Sequence, residues 1–176
     1  MVRRSVRVHP VVSWRAAAFL GAIVCAALLG YGYYLQYGPQ RLDPCPLCLV
    51  QRGFFYLVGG VFLLGAIHGR GRAVYGSLAA LFAAGGFGVA ARQVWLQHLP
   101  PERVPQCGPD LYFMLENFPL SRTLKTLVAG TGECAVVDWT FLGFSIAEWS
   151  LAWFTALFFY ALWLVIRGQG RNSVRT

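Results

Sequence analysis

Four long apolar stretches constrain the fold of this chain more than any other feature of its sequence. They lie near 14–35, 49–67, 74–95 and 148–166, and each has the roughly 20 residues that a helix needs to cross a hydrocarbon core of about 30 Å. A chain that is 57% hydrophobic and only 12% charged is also too apolar for a soluble globule. We therefore expect an all-α membrane protein, a four-transmembrane-helix bundle in which residues 1–176 form a single membrane domain.

The first apolar stretch resembles a secretory signal peptide, because Arg3, Arg4 and Arg7 precede it. Its apolar part is too long for a signal peptide, however, and it ends in aromatic residues without a small-residue cleavage site. A lipoprotein signal around Cys25 is not expected either, because Val24 occupies a position that should be small. We predict an uncleaved first helix.

The basic residues are concentrated beside one set of helix ends. Nine of the fifteen flank the segments that must share a side of the membrane: Arg3, Arg4, Arg7, Arg15, Arg70, Arg72, Arg167, Arg171 and Arg175. The positive-inside rule then predicts cytoplasmic termini, with two outer loops at about 36–48 and 96–147 on the other side. Because the net charge of +8 is spread in short groups beside apolar runs, we do not expect nucleic-acid binding.

Four of the five cysteines, Cys45, Cys48, Cys107 and Cys134, lie in the two outer loops. An even set of this kind is typical of an oxidising compartment. Cys25 lies inside the first stretch, where we expect a buried, inert thiol. Two C-x-x-C pairs could hold zinc, but 26 residues separate Cys107 from Cys134 and the three histidines form no cluster, so no metal site is predicted.

Cys45-Pro-Leu-Cys48 stands where the second helix should begin. Pro46 suits a first helical turn because it has no N–H to satisfy, which would place Cys48 where the helix dipole stabilises a thiolate. Arg52, four residues on, should project from the same face. Its guanidinium could simply reach up to the interface, or it could stabilise the thiolate and hydrogen bond to a carbonyl of an electron acceptor.

Two further segments allow two interpretations each. In the second loop, apolar residues recur at helical spacing: Leu120, Leu124, Leu127 and Val128, with Arg122 and Lys125 on the other side. This segment is either a short interfacial helix on the membrane surface or an ordinarily packed loop. At the end of the third stretch, Arg92, Gln93, Gln97 and His98 either line a site or anchor the helix at the interface together with Trp95.

These residues resemble the DsbB family of disulfide bond formation membrane proteins over nearly the whole chain. The shared features are Cys45-Pro-Leu-Cys48 with Gln51-Arg52, then Cys107, then Gly132-Glu-Cys134 followed by Trp139, Phe141-Leu-Gly143 and Trp149. The resemblance implies a thiol-disulfide oxidoreductase of the bacterial inner membrane that re-oxidises a periplasmic thioredoxin-like oxidase, DsbA. It also implies that the electrons pass to ubiquinone or menaquinone.

The resemblance assigns roles to the four loop cysteines. Cys107 is expected to form the mixed disulfide with DsbA, and Cys134 is expected to be its partner. Cys45 would take the electrons from that pair, and Cys48 would engage the quinone ring.

On the acceptor side, the resemblance assigns Arg52 as the cation beside the quinone. Family members often carry a histidine near the end of the third helix that contributes to the quinone site, and His98 is the candidate in this chain.

Two other classes of protein could carry similar cysteines. Vitamin K epoxide reductase-like proteins use the same parts, but they usually place the redox C-x-x-C at the outer end of a late helix, whereas here it begins the second. A structural membrane protein could use the cysteines for stabilising disulfides or for zinc. Metal analysis and thiol trapping with and without quinone would separate these alternatives.

Overall fold

Four long helices account for most of the structure, a computed structural model that describes residues 13–105, 116–119, 121 and 129–169. The helices are α1 Trp14–Tyr37, α2 Pro46–His68, α3 Arg72–Gln97 and α4 Ile146–Gln169. All four are long and apolar enough to cross a membrane. The predicted all-α bundle of four membrane-spanning helices is therefore confirmed, and the chain is a multi-pass membrane protein.

The helices pack as neighbours in the pairs α1 with α2, α2 with α3, and α3 with α4. At the centre, the Phe55 ring of α2 stacks on Phe154 of α4 with 4.1 Å between centroids. The Phe154 ring also lies directly over Gly86 of α3, where a larger side chain would collide with it. Small residues that let helices approach closely are the usual means of association where lipid replaces water as the solvent.

Helix α2 begins at Pro46, three residues before the predicted start at 49. Cys45 is the N-cap, and Pro46 occupies the first helical position, where its fixed φ angle is already helical and its missing N–H costs nothing. The apolar pattern alone could not place this boundary, because Cys45, Pro46 and Cys48 interrupt the run of aliphatic residues at the start of the helix.

The turn between α2 and α3 lies at the end of the bundle opposite to Cys45. Gly69 and Gly71 both have positive φ angles, 67° and 71°, which glycine adopts without steric cost. Arg15, near the start of α1, donates from Nε to the Ala66 carbonyl at 3.0 Å. The start of α1, the α2–α3 turn and the far end of α4 thus share one end of the bundle, as the charge pattern predicts.

The long second loop contains a small β-hairpin that the sequence analysis did not predict. Strand β1 (Thr140–Phe141) pairs antiparallel with β2 (Phe144–Ser145), and Leu142 and Gly143 between them have φ angles of 53° and 84°. Such a turn usually carries Asn-Gly or Asp-Gly, so the sequence, with leucine at the first position, did not indicate a hairpin turn here. The hairpin leads directly into α4, whose start is capped by Ser145 and Glu148.

Some predictions fall on residues that the structure does not describe. The interfacial helix predicted around 120–128 lies outside the described residues except for position 121. Residues 1–12 and 170–176 also lie outside the described residues. The assignment of residues 1–176 to a single domain therefore stays a prediction.

Candidate functional site

Three cysteines from distant parts of the sequence meet where α2 begins. The Sγ atoms of Cys45 and Cys48 are 3.0 Å apart, and Cys45 packs against the buried cluster that contains Cys134, so that each of these two thiols shifts the pKa of the other. Cys134 is fully buried although it comes from the long loop. The fourth predicted site cysteine, Cys107, lies outside the described residues, and Cys25 is buried in the apolar core of the bundle as expected.

The start of α2 supplies donors to a sulfur from another segment. Cys134 lies in a short 3-10 helix, Gly132–Ala135, and its sulfur accepts a hydrogen bond from the backbone N–H of Leu47 in the first turn of α2. The N–H groups of a first helical turn have no partner within the helix, and the helix dipole favours negative charge there. The sequence predicted this effect for Cys48, and the structure extends it to Cys134.

The pKa values of Cys45 and Cys134 are shifted in opposite directions. The neighbouring Cys45 thiol, together with the Leu47 and Thr131 backbone groups, lowers the pKa of Cys134 to about 6. Because its S–H is shared with Cys134 and Cys48, and because it is buried, the pKa of Cys45 is raised. In the reduced protein at neutral pH, Cys134 is therefore the thiolate and hence the nucleophile of this pair.

Gln93 of α3 contacts both sulfurs of the C-x-x-C pair. Its amide Nε2 lies 3.3 Å from the Sγ of Cys45 and 3.3 Å from the Sγ of Cys48. Its Oε1 accepts a 2.6 Å hydrogen bond from Nε2 of Gln51, which is also buried. Two buried amides that satisfy each other hold the Gln93 donor group in a fixed position against the sulfurs.

In the sequence, Gln93 stands out only as one of four polar residues near the end of α3, and it is not among the predicted site residues. A usable signal was nevertheless present. Gln51 and Gln93 are amides inside apolar spans, and a buried amide is costly unless it finds a partner. Two such residues near the same end of neighbouring spans indicate a shared polar site.

Arg52 is held by acceptors from α1. Its Nη1 donates to Gln36 Oε1 and its Nη2 donates to the Gly32 carbonyl at 3.1 Å, and the guanidinium lies 4.8 Å from the centre of the Tyr33 ring. The group is partly buried rather than free in the interface. A carbonyl acceptor that docks beside Cys48 would therefore meet an arginine fixed in place by the neighbouring helix.

The other polar residues at the end of α3 point to different partners. Arg92 donates from Nε and Nη2 to the Ala129 carbonyl at 3.2 and 3.1 Å, and Gln97 accepts from Ser145 at 2.8 Å. His98 is exposed, and its Nδ1 lies 2.8 Å from the Val94 carbonyl of its own helix. Its assignment to the acceptor site stays a prediction.

Among the described residues, no group of three or more His, Cys, Asp or Glu side chains has an arrangement that could hold a metal ion. The chemistry available here is thiol-disulfide exchange, with a thiolate, a neighbouring thiol pair and fixed donors beside it.

Comparison with known proteins identifies relatives that span nearly the whole chain. The family model for "Disulfide bond formation protein DsbB" matches residues 14–164. The "Disulfide bond formation protein B" of Azoarcus sp. (strain BH72) is 51% identical over 144 residues, which cover 80% of this chain and 86% of the relative. Proteins of the same name from Methylococcus capsulatus and Xanthomonas euvesicatoria pv. vesicatoria are 48% and 43% identical, covering 85% and 92% of this chain and 93% and 95% of theirs.

Proposed function

This chain belongs to the DsbB family of disulfide bond formation proteins, and we propose that it re-oxidises a periplasmic DsbA-like dithiol oxidase and passes the electrons to a membrane quinone. The observation that carries the proposal is the packing of Cys45, at the start of α2, against the buried cluster that contains Cys134 of the long loop. This contact places one member of the loop cysteine pair, whose other member Cys107 would meet the soluble partner, beside the cysteine pair at the membrane.

The first exchange takes place in the long loop. A thiolate of the partner attacks Sγ of Cys107 in a Cys107–Cys134 disulfide, so that a partner–Cys107 bond forms and Cys134 leaves as a thiolate. A sulfur with a low pKa leaves faster, and the Leu47 and Thr131 groups, which lower the pKa of Cys134, remain beside its sulfur while Cys45 is in a disulfide. The partner's second thiolate then attacks its own mixed disulfide, which releases the oxidised partner and the Cys107 thiolate.

The second exchange carries the electrons to α2. The Cys134 thiolate attacks Sγ of Cys45 in a Cys45–Cys48 disulfide, which forms a Cys45–Cys134 bond and expels Cys48 as a thiolate. Cys107 then attacks Cys134, which restores the Cys107–Cys134 disulfide and releases Cys45. Two electrons and two protons have passed from the partner dithiol to Cys45 and Cys48, and no other oxidant is consumed up to this point.

Ubiquinone or menaquinone, when bound, supplies an acceptor for two electrons and two protons. Arg52 would donate to a carbonyl oxygen of such a ring bound beside Cys48. Arg52 has five N–H donors, and its described hydrogen bonds to α1 use two of its nitrogens. Gln93 of α3 holds the Cys48 sulfur in place, whereas acceptors on α1 hold the Arg52 guanidinium.

The proposed location is the bacterial inner membrane, with both termini in the cytoplasm and the cysteine-bearing loops in the periplasm. The arginines near the start of α1, in the α2–α3 turn and after α4 support this orientation. The periplasm is also the compartment where disulfides persist.

The entry step can be tested with a DsbA-like protein that keeps only its attacking cysteine. Without a second cysteine to resolve it, the mixed disulfide should accumulate, and peptide mapping should locate it at Cys107. The Cys107→Ala variant should fail to form this adduct on the same timescale. An adduct that maps to Cys45 in the otherwise unchanged protein would contradict the proposed order of exchange.

A further inference from the structure

The segment that carries Cys134 is more deeply seated than its position in a long loop suggests. Gly130, Thr131, Gly132 and Cys134 are all buried, and Cys134 packs in one apolar cluster with Leu47 of α2 and with Val89 and Leu96 of α3. The segment therefore lies against the start of one helix and the end of another.

Arg92 binds the beginning of this segment. Two of its donors, Nε and Nη2, converge on the single carbonyl of Ala129 at 3.2 and 3.1 Å. The guanidinium is also stacked 4.3 Å from the ring centre of Trp95, one turn further along α3. A planar fork bound to an acceptor on one side and to an aromatic face on the other has little freedom to move.

Gly130 allows the close approach that the Arg92 contact fixes. Its φ angle is 78°, and a Cβ atom built there would lie 2.6 Å from Leu96 and 2.8 Å from Leu47. The residue next to the Arg92 contact is thus packed closely against both helices. Only Thr131 separates Gly130 from the 3-10 helix Gly132–Ala135, which contains the buried Cys134.

Arg92 immediately precedes Gln93 in the same turn of α3. Gln93 holds the sulfurs of Cys45 and Cys48, while Arg92 holds the segment that delivers Cys134. One turn of α3 therefore sets the relative position of the two disulfide-exchanging groups.

We propose that Arg92 is a positioning residue for the exchange between Cys134 and Cys45: through the Ala129 carbonyl it holds the Cys134 segment against the start of α2. The inference rests on the proposed function, because it concerns the step in which the Cys134 thiolate attacks Cys45. Arg92 contacts no sulfur in the described structure, and it acts by raising the effective concentration of one thiol at the other.

The effective concentration can be measured at equilibrium without quinone. In a background of Cys25→Ala, Cys48→Ala and Cys107→Ala, only Cys45 and Cys134 remain. Oxidised glutathione takes up two electrons as the two thiols form one disulfide and two reduced glutathione molecules are released. The ratio of disulfide to dithiol at known glutathione concentrations then gives the equilibrium constant.

Arg92→Gln in this background should lower that constant by roughly tenfold, because a charge-assisted hydrogen bond is lost. Arg92→Lys keeps the charge and can still donate one hydrogen bond to the Ala129 carbonyl, so its equilibrium constant should lie between those of the parent and Arg92→Gln. The matched control is Arg103→Gln, which changes an exposed arginine in the 3-10 helix Pro101–Arg103 and should leave the constant unchanged.

A double variant separates positioning from general destabilisation. Gly130→Ala should lower the constant by displacing the same segment, and adding Arg92→Gln to it should produce less than the sum of the two effects, since both act on one contact. If Arg92→Gln leaves the equilibrium constant at the parent's value, or changes it no more than Arg103→Gln does, the positioning role of Arg92 is overturned while the proposed relay stands. A parent that forms no Cys45–Cys134 disulfide would overturn the relay itself, and with it the role of Arg92.

Discussion

The Cys134 thiolate is the attacking group in the proposed exchange between the loop and helix cysteines. Its pKa is lowered to about 6, so the thiolate is present at neutral pH and is protonated as the pH falls through that value. An unperturbed cysteine, with a pKa of about 8.5, would already be mostly protonated at neutral pH.

We predict that ultraviolet thiolate absorbance of the fully reduced protein contains a component that disappears near pH 6. Subtracting the titration of a Cys134→Ser variant should isolate this component, because the remaining cysteines are common to both proteins. A difference curve with its midpoint near the ordinary value for cysteine would contradict the assignment of Cys134 as the nucleophile.

Arg52 is the residue for which charge and geometry can be separated most clearly. Arg52→Lys keeps the charge but loses the planar fork that reaches Gln36 and Gly32, and Arg52→His loses most of both at neutral pH. Charge-assisted hydrogen bonds contribute about 1.5–3 kcal/mol, so turnover should fall by roughly ten- to a hundredfold in the histidine variant and less in the lysine variant.

Steady-state quinone reduction at varied quinone concentration would measure this series, and the apparent affinity for quinone should weaken in the same order. Formation of the mixed disulfide at Cys107 should be unaffected, since it precedes the acceptor step. Arg103→Lys and Arg103→His are matched exposed controls. Wild-type kinetics in both Arg52 variants would mean that the guanidinium only stabilises the contact with α1.

At the scale of elements, two glycines with positive φ angles provide a matched pair. Gly130 and Gly143 have φ angles of 78° and 84°, so alanine is strained at either position by about 1–2 kcal/mol. Only at Gly130 would the new Cβ also collide with neighbouring side chains, whereas at Gly143 nothing in the described structure lies within 4 Å of it.

Gly130→Ala should therefore lower the thermal unfolding midpoint in detergent more than Gly143→Ala does, and it should also expose Cys134 to thiol reagents. Gly143→Ala should leave the reactivity of Cys134 unchanged, since it affects only the tip of the β-hairpin. Equal exposure of Cys134 in the two variants would show that the segment is not seated as described.

The sequence was sufficient to predict the four helices, because a span of about 20 apolar residues has few other solutions in a bilayer. It could not predict the β-hairpin, whose turn begins with leucine, or the contact between Gln51 and Gln93, which depends on how α2 and α3 pack. The proximity of Cys134 to Cys45 was implied only by the family resemblance. No spacing rule relates residues that are brought together by a buried loop segment.

At the scale of the whole molecule, the arginines determine the expected orientation. Reporter fusions at residues 68–73 and at both termini should give cytoplasmic signals, because each transferred arginine near a helix end opposes export. A fusion near residue 115 should give an external signal. A cytoplasmic signal at that position would place the exchange chemistry in a reducing compartment and would be incompatible with the proposed function.

In the proposed function, electrons pass from a partner dithiol through two cysteine pairs to a quinone, and a quinone-reduction assay measures this path from end to end. Purified protein supplied with a reduced DsbA-like protein should reduce one quinone for each partner disulfide formed. Alanine at Cys45, Cys48, Cys107 or Cys134 should abolish this turnover, while Cys25→Ala should leave it intact, because Cys25 is buried in the apolar core. Full turnover in the Cys134→Ala variant, or no quinone reduction by the unchanged protein, would contradict the account.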